Sequence, residues 1–220
     1  MVAGVAKTGA SSAVTAAGSS RSSDTPRLLI EAAIETLKEV GYTGASARAI
    51  AERAGSNQGL VFYHFGSVAN LLLAALDAVS ADRLEQYAAA VDEVRSPSEL
   101  VDVAAAIFRQ DLDAGYVTVL VEMIAGASST PGIGPEVAQR IGPWFEFAER
   151  AVATTLAGSP LEAVLPGGDV AYGVVALYLG LEMLSHLDGE RDRALALFSH
   201  AQQLAGLLEA LTATTDKERQ

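Results

Sequence analysis

The chain has 220 residues, half of them hydrophobic, 6% aromatic, with no cysteine and a net charge of −12. That length suffices for one or two domains with a sizeable core, and the composition favours packed helices over sheets. Disulfides and thiolate metal sites are excluded, and the acidity opposes non-specific attraction to phosphate.

Residues 1–24 are rich in Ala, Ser, Gly and Thr, with no sustained apolar run. They predict a disordered tail rather than a secretory or transit segment, and Arg21 could act there as a basic arm to a DNA groove. Thr25-Pro26 signals a helix start, and Ile30, Ala33, Ile34 and Leu37 share one face of a helix that stops at Gly41. Ser46 caps a second helix that turns Ile50, Ala51 and Ala54 inward and Arg48 and Glu52 outward. Gly55 supplies a tight turn, since a residue without Cβ enters the left-handed region cheaply. Asn57 or Ser56 caps a third helix to about Phe65. Gly66-Ser67 ends it, and Ser67 can cap a fourth.

The rest also reads as helical. Residues 68–94 are amphipathic. Pro97 opens a helix carrying Leu100, Val103, Ala104, Ile107 and Phe108, and residues 115–127 are apolar. Thr130 to Pro135 predicts a loop, followed by a helix from about Glu136 that Pro143 should kink or break. Two helices close the chain, Asp169 to Leu187 and Arg191 to about Leu211, joined at Asp188-Gly189. The apolar stretch 170–187 holds Glu182 and His186 and has no basic flank, so it predicts a buried or interface helix in a soluble, cytoplasmic protein.

Charge is divided unevenly. Residues 1–66 carry six basic and five acidic groups, leaving nine basic and 22 acidic groups for the rest. A near-neutral head on an acidic body can still place a few cations on DNA. Gln58 can pair bidentately with adenine and Arg48 with guanine, because their donors and acceptors match those base edges. Ser46, Asn57, Tyr63, His64 and Ser67 are candidates for phosphate or sugar contacts, and Gly59 for close backbone approach. His64 could equally pack against the start of the fourth helix.

The pattern Gly41, then Ser46-x-Arg48-x-Ile50-Ala51-x-x-Ala54-Gly55, then Gly59-x-Val61-Phe62-x-His64-Phe65-x-Ser67-x-x-x-Leu71 resembles the DNA-binding domain of the TetR family of transcriptional regulators. It covers about residues 26–72. The resemblance implies an all-α fold: a three-helix helix-turn-helix domain at 25–71, then a helical-bundle domain at 72–220 for ligand binding and dimerisation. Three positions depart from the family's habit: Ser56 stands for Val, Phe62 for Tyr and Val68 for Lys. The last two remove phosphate contacts.

A half-site is too short to be selected in a genome, so two heads are needed. The last two helices are the expected homodimer interface. Tyr172, Val175, Leu179 and Met183 mark one face, Leu197, Leu204, Leu208 and Leu211 the other, and Gly173, Gly180, Ala176 and Ala201 permit close approach. The alternative is an intramolecular core. The middle helices offer Phe108, Tyr116, Met123, Trp144, Phe145, Phe147 and Tyr178 as walls of an effector pocket. Arg109, Glu122, Glu182 and His186 are its candidate polar anchors. No cofactor is implied. With only His64, His186 and His200 in the chain, no dedicated metal site is expected. These readings converge on a homodimeric repressor that binds palindromic double-stranded DNA and is released by a mostly apolar small molecule. The alternatives are a small helical enzyme using Glu182 and His186, or an adaptor whose head binds protein.

Overall fold

A computed structural model describes residues 12–157, 162 and 166–218, with side chains between 24 and 211. Among these residues it contains nine α-helices and no strand: α1 (Ser12–Gly44), α2 (Ala47–Arg53), α3 (Gln58–Phe65), α4 (Val68–Asp92), α5 (Pro97–Ala114), α6 (Tyr116–Ala127), α7 (Ile133–Leu156), α8 (Gly167–Asp188) and α9 (Arg191–Glu218). The backbone divides into two compact units between Ala75 and Leu76, a point inside α4, four residues beyond the boundary expected from sequence.

In the first unit α1, α2 and α3 pack on one another. The helix of α1 begins at Ser12 and runs through Pro26, so residues 12–24 are helical where an irregular tail was predicted. Residues 1–11 and the Arg21 side chain lie outside the described part. Gly41, at φ 71° and ψ −177°, breaks the helical path before a last short turn. The buried stripe of α1 is Leu29, Ala32, Ala33, Thr36 and Leu37, with Ile30 and Ile34 half-buried. This is one residue away from the predicted face. Thr36 explains the offset, because its hydroxyl donates to the Ala32 carbonyl at 2.6 Å and can therefore occupy an apolar face without an unmet polar group.

In the second unit α5 packs chiefly on α9 and α7 on α8, and α6 fills in against α7 and α8. Ser96 caps α5, accepting from the Glu99 amide at 3.3 Å, with Pro97 in the first turn. Helix α7 starts at Ile133, inside the predicted loop. Pro135 falls in its first turn, where a missing N–H costs no hydrogen bond. Pro143 likewise does not end α7, which continues to Leu156. Phe108, Leu181 and Ala194 form one core cluster with Leu112, Tyr178, Leu195 and Phe198 around it. A second cluster joins Ala148, Ala171 and Val175, flanked by Ile141, Phe145 and Leu179. Helix α8 is long and apolar enough by length and composition to cross a membrane, yet its Glu182 and Ser185 are buried inside the unit.

Candidate nucleic-acid interface and effector cavity

The head is built by two capping side chains and a glycine turn. Ser46 Oγ accepts from the Ala49 amide at 3.2 Å and Asn57 Oδ1 from the Gly59 amide at 2.8 Å, which fixes where α2 and α3 start. Between them Gly55 sits at φ 61°. A Cβ on Gly59 would come within 3.2 Å of the Asn57 Oδ1, so that glycine protects the cap of α3. Ile50, Ala51 and Val61 point into the head's core. Ser46, Arg48, Asn57, Gln58 and Gly59 are left exposed, and His64 and Ser67 half-buried. Tyr63 is 81% exposed and Phe62 52%. Tyr63 meets His64 edge-on, ring centroids 4.9 Å apart. Ser67 Oγ accepts from the Asn70 amide at 3.1 Å, capping α4.

Most of the head's cations are already engaged. Arg27 pairs with Glu31, Lys38 with Glu35 and Arg53 with Glu39. Among the described residues Arg48 is the one head cation with no such carboxylate, and it stands on the exposed face of α2.

In the second unit a cavity of about 130 Å³ is walled by α4, α5, α6, α7 and α8. Tyr116, Trp144, Phe147 and Tyr178 line it, with Leu76, Val79, Ile107 and Ile141 among its aliphatic walls. Phe108 and Met123 are fully buried elsewhere in the core. Arg109 and His186 are exposed and Glu122 is half-buried, none of them on the cavity wall, and Glu182 is buried beside the cavity rather than on its wall. His186 instead borders a separate, more polar recess with Thr118 and Arg191. Glu182 and His186 thus occupy different environments despite their i, i+4 spacing.

Composition gave no hint of a buried ionic cluster at one end of this cavity. Arg83 of α4 donates from Nε to Asp111 Oδ1 of α5 at 3.0 Å, and its Nη2 reaches Oδ2. Tyr87 donates to the same carboxylate at 2.6 Å and Tyr178 of α8 at 2.7 Å. Asp111 has no exposed surface. The Arg83 guanidinium also lies over the Trp144 ring at 4.5 Å. Burial alone would lower the Arg83 pKa, but the Asp111 and Glu182 charges raise it overall. Glu182 Oε1 is 3.9 Å from Arg83 Nη2 and has no hydrogen-bond partner. Burial, against the opposing pull of Arg83, pushes its pKa up to about 8.

On the outer face of α8 and α9, Tyr172, Leu177, Leu184 and Leu187 are exposed, as are Leu197, Leu204, Leu207, Leu208 and Leu211. Of the residues expected at a dimer face, Val175 is buried against α7 and Leu179 packs into the same cluster. Met183 is half-buried. Leu177, Leu184 and Leu187 take their place on the outside.

Comparison with known proteins matches residues 29–75 to the N-terminal domain of bacterial regulatory proteins of the tetR family. The likeness to that family covers residues 29–75, the head of this chain. An uncharacterised HTH-type transcriptional regulator of Mycobacterium tuberculosis is 34% identical over 108 residues, 49% of this chain and 55% of the relative. The chain thus spans about half the length of that relative. The HTH-type transcriptional repressor AcnR of Corynebacterium glutamicum is 36% identical over 75 residues, 34% of this chain and 36% of AcnR. The fold extends further than the sequence likeness. A Bacillus subtilis transcriptional regulator, FadR, in complex with stearoyl-CoA superposes with a TM-score of 0.65 at 14% identity, covering 81% of this chain and 96% of that one.

Two buried polar groups of this chain have measurable consequences. Ser56 Oγ is buried without a hydrogen-bond partner, at the position where the family favours Val. Ser56→Val should stabilise the head by about 1–2 kcal/mol, since it removes an unmet polar atom and adds apolar contact. Chemical denaturation checks this, and a loss of stability would refute it. The second concerns Glu182, whose folded pKa lies above the ordinary carboxyl value of 4.5. The unfolded chain then releases this proton first as pH rises. Its contribution is full below that value and is lost on the way to pH 8, on the order of a few kcal/mol. Arg83, Asp111 and Tyr178 are the groups around it. Glu182→Gln should therefore flatten the fall in Tm between pH 5 and pH 8. Parallel curves for the two proteins would contradict this assignment.

Proposed function

We propose that the chain is a homodimeric, ligand-responsive transcriptional repressor, soluble and cytoplasmic, that binds a palindromic operator through α2 and α3. The observation that carries this reading is the state of the head's cations: three are spent on glutamates, while Arg48 on α2, like Gln58 at the start of α3, is left exposed. A solvated face with no other role has no reason to spare that guanidinium next to two capped helix starts. Asn57, Ser46, Tyr63, His64 and Ser67 would add the backbone contacts that set register. Gly59 gives DNA a flat approach. The likeness to AcnR supports repression.

The body would hold the effector. Helix α4 carries Leu76, Val79, Ser80 and Arg83 on the cavity wall, and its first two turns, with Leu71 and Leu72 buried, belong to the head unit. A ligand that shifts α4 would change the spacing of two recognition helices, with a coupling of about 1–3 kcal/mol. That the Bacillus subtilis relative holds stearoyl-CoA supports a small-molecule site in such a body.

Fluorescence anisotropy with the DNA upstream of the chain's own gene tests the reading. Arg48→Ala and Gln58→Ala should each cost about 1–3 kcal/mol per half-site and relax base preference. With few free cations the salt dependence should be shallow, about 0.9 log units per decade of salt for each phosphate neutralised. Absence of sequence-selective, salt-sensitive binding at any protein concentration would sink the proposal.

A further inference from the structure

We propose that the cavity takes a small uncharged lipophile, about the bulk of one aromatic ring or a six-carbon alcohol, and rejects organic anions and cations. This rests on the effector site proposed above and names what that site accepts. Size comes first. A cavity of about 130 Å³ is close to the roughly 150 Å³ apolar hole that admits benzene in an engineered protein.

Charge decides the rest. Two guanidinium groups reach the wall, and both are committed. Arg83 is held by Asp111, and Arg140 pairs with Asp77 at 2.8 Å and Glu136 at 2.9 Å. Three carboxylates, Asp111, Asp77 and Glu136, stand around these two cations. An entering carboxylate would lose its water and find no free positive partner, a cost that burial does not repay. A cation fares no better. The Trp144 face that could stabilise it is occupied by Arg83 at 4.5 Å. Glu182 is held protonated up to about pH 8 and offers no standing negative charge. Even Ser80 is engaged, accepting from Trp144 Nε1 at 2.7 Å. What remains is apolar surface from residues such as Val79, Ile107, Ile141 and Phe147, which gains by excluding water and asks for no charge.

Trp144 is the chain's single tryptophan and lies on the wall, so its fluorescence reports occupancy directly. The full-length protein, without DNA, is titrated at pH 7 with 1-hexanol, hexanoate and hexylammonium. Hexanol should saturate the signal, and both ions should bind at least about tenfold more weakly. Equal or tighter binding of either ion, or no saturation by hexanol, overturns the inference. Ala104 lines the same wall, and Ala104→Phe should abolish hexanol binding. If that chain fails to fold, Ala104→Leu should weaken it, and an unchanged affinity in the folded variant places the ligand elsewhere and overturns the assignment. The DNA reading fails separately: a chain that binds operator but not hexanol keeps the first proposal and loses this one.

Discussion

Replacing Asp111 with alanine is expected to destabilise the helical body by about 3–5 kcal/mol, enough to remove a large part of a typical domain's stability. The carboxylate, on α5, is fully buried and accepts from three side chains on two other helices: Arg83 and Tyr87 of α4 and Tyr178 of α8. Its loss leaves a buried guanidinium facing only Glu182 at 3.9 Å, and two hydroxyls lose their acceptor. The cost therefore comes mostly from what is stranded, and less from the strength of the pair itself. A second variant separates these two sources. Arg83→Met combined with Asp111→Leu removes both charges, and should recover much of the loss because no ion remains unpaired. Urea denaturation of the two variants is the measurement. If Asp111→Ala costs under about 1 kcal/mol, the cluster does not hold these helices together.

How much of this could be read in advance depended on the range of the interaction. The caps at Ser46 and Asn57, the turn at Gly55 and the stop at Gly41 are local chemistry, determined by residues within four positions, and were legible. Helix content was legible for the same reason. The inward face of α1 was misplaced by one residue because Thr36 satisfies its hydroxyl on its own helix, which a hydropathy pattern cannot see. The sequence places Pro135 in a loop and a kink or break at Pro143, yet one sits in a first turn and the other does not end its helix. Tertiary packing outweighed propensity there. The cavity's aromatic residues were partly anticipated, but its ionic end was not. Arg83 and Asp111 are 28 positions apart, and each alone looks like an ordinary surface charge. A weak clue existed in Asp111, which falls one turn after Phe108 on the inward face of α5. The exposed face of α8 differs from the face expected for a dimer because the helix is apolar nearly all round, so its pattern does not say which side α7 covers.

That difference leads to the second large expected effect. Leu177, Leu184 and Leu187 on α8, with Leu197, Leu204, Leu207, Leu208 and Leu211 on α9, leave an exposed apolar face, Leu184 at 58% and Leu187 at 72% accessible. Exposed leucines in this number are costly in water and are the surface proposed for the dimer, each contributing about 1.5–3 kcal/mol when fully covered. Both helices supply it, and glycines at 173 and 180 on α8 meet nothing within 4 Å that a Cβ would strike, so a second copy could approach closely. Leu184→Glu with Leu207→Glu should convert the proposed dimer to a monomer in sedimentation while helicity is retained, since both side chains are mostly exposed in the single chain. Operator affinity should then fall by about 10²–10⁴, the avidity lost when one head binds without its tethered mate. The salt slope should halve as well, because half the phosphates are engaged. The slope separates the two ways a variant can weaken. A damaged dimer keeps its slope and loses affinity, whereas a true monomer loses both. A double variant that still sediments as a dimer would move the interface off α8 and α9. One that is monomeric yet binds DNA unchanged would show that a single head suffices, against the thin charge that the structure gives it.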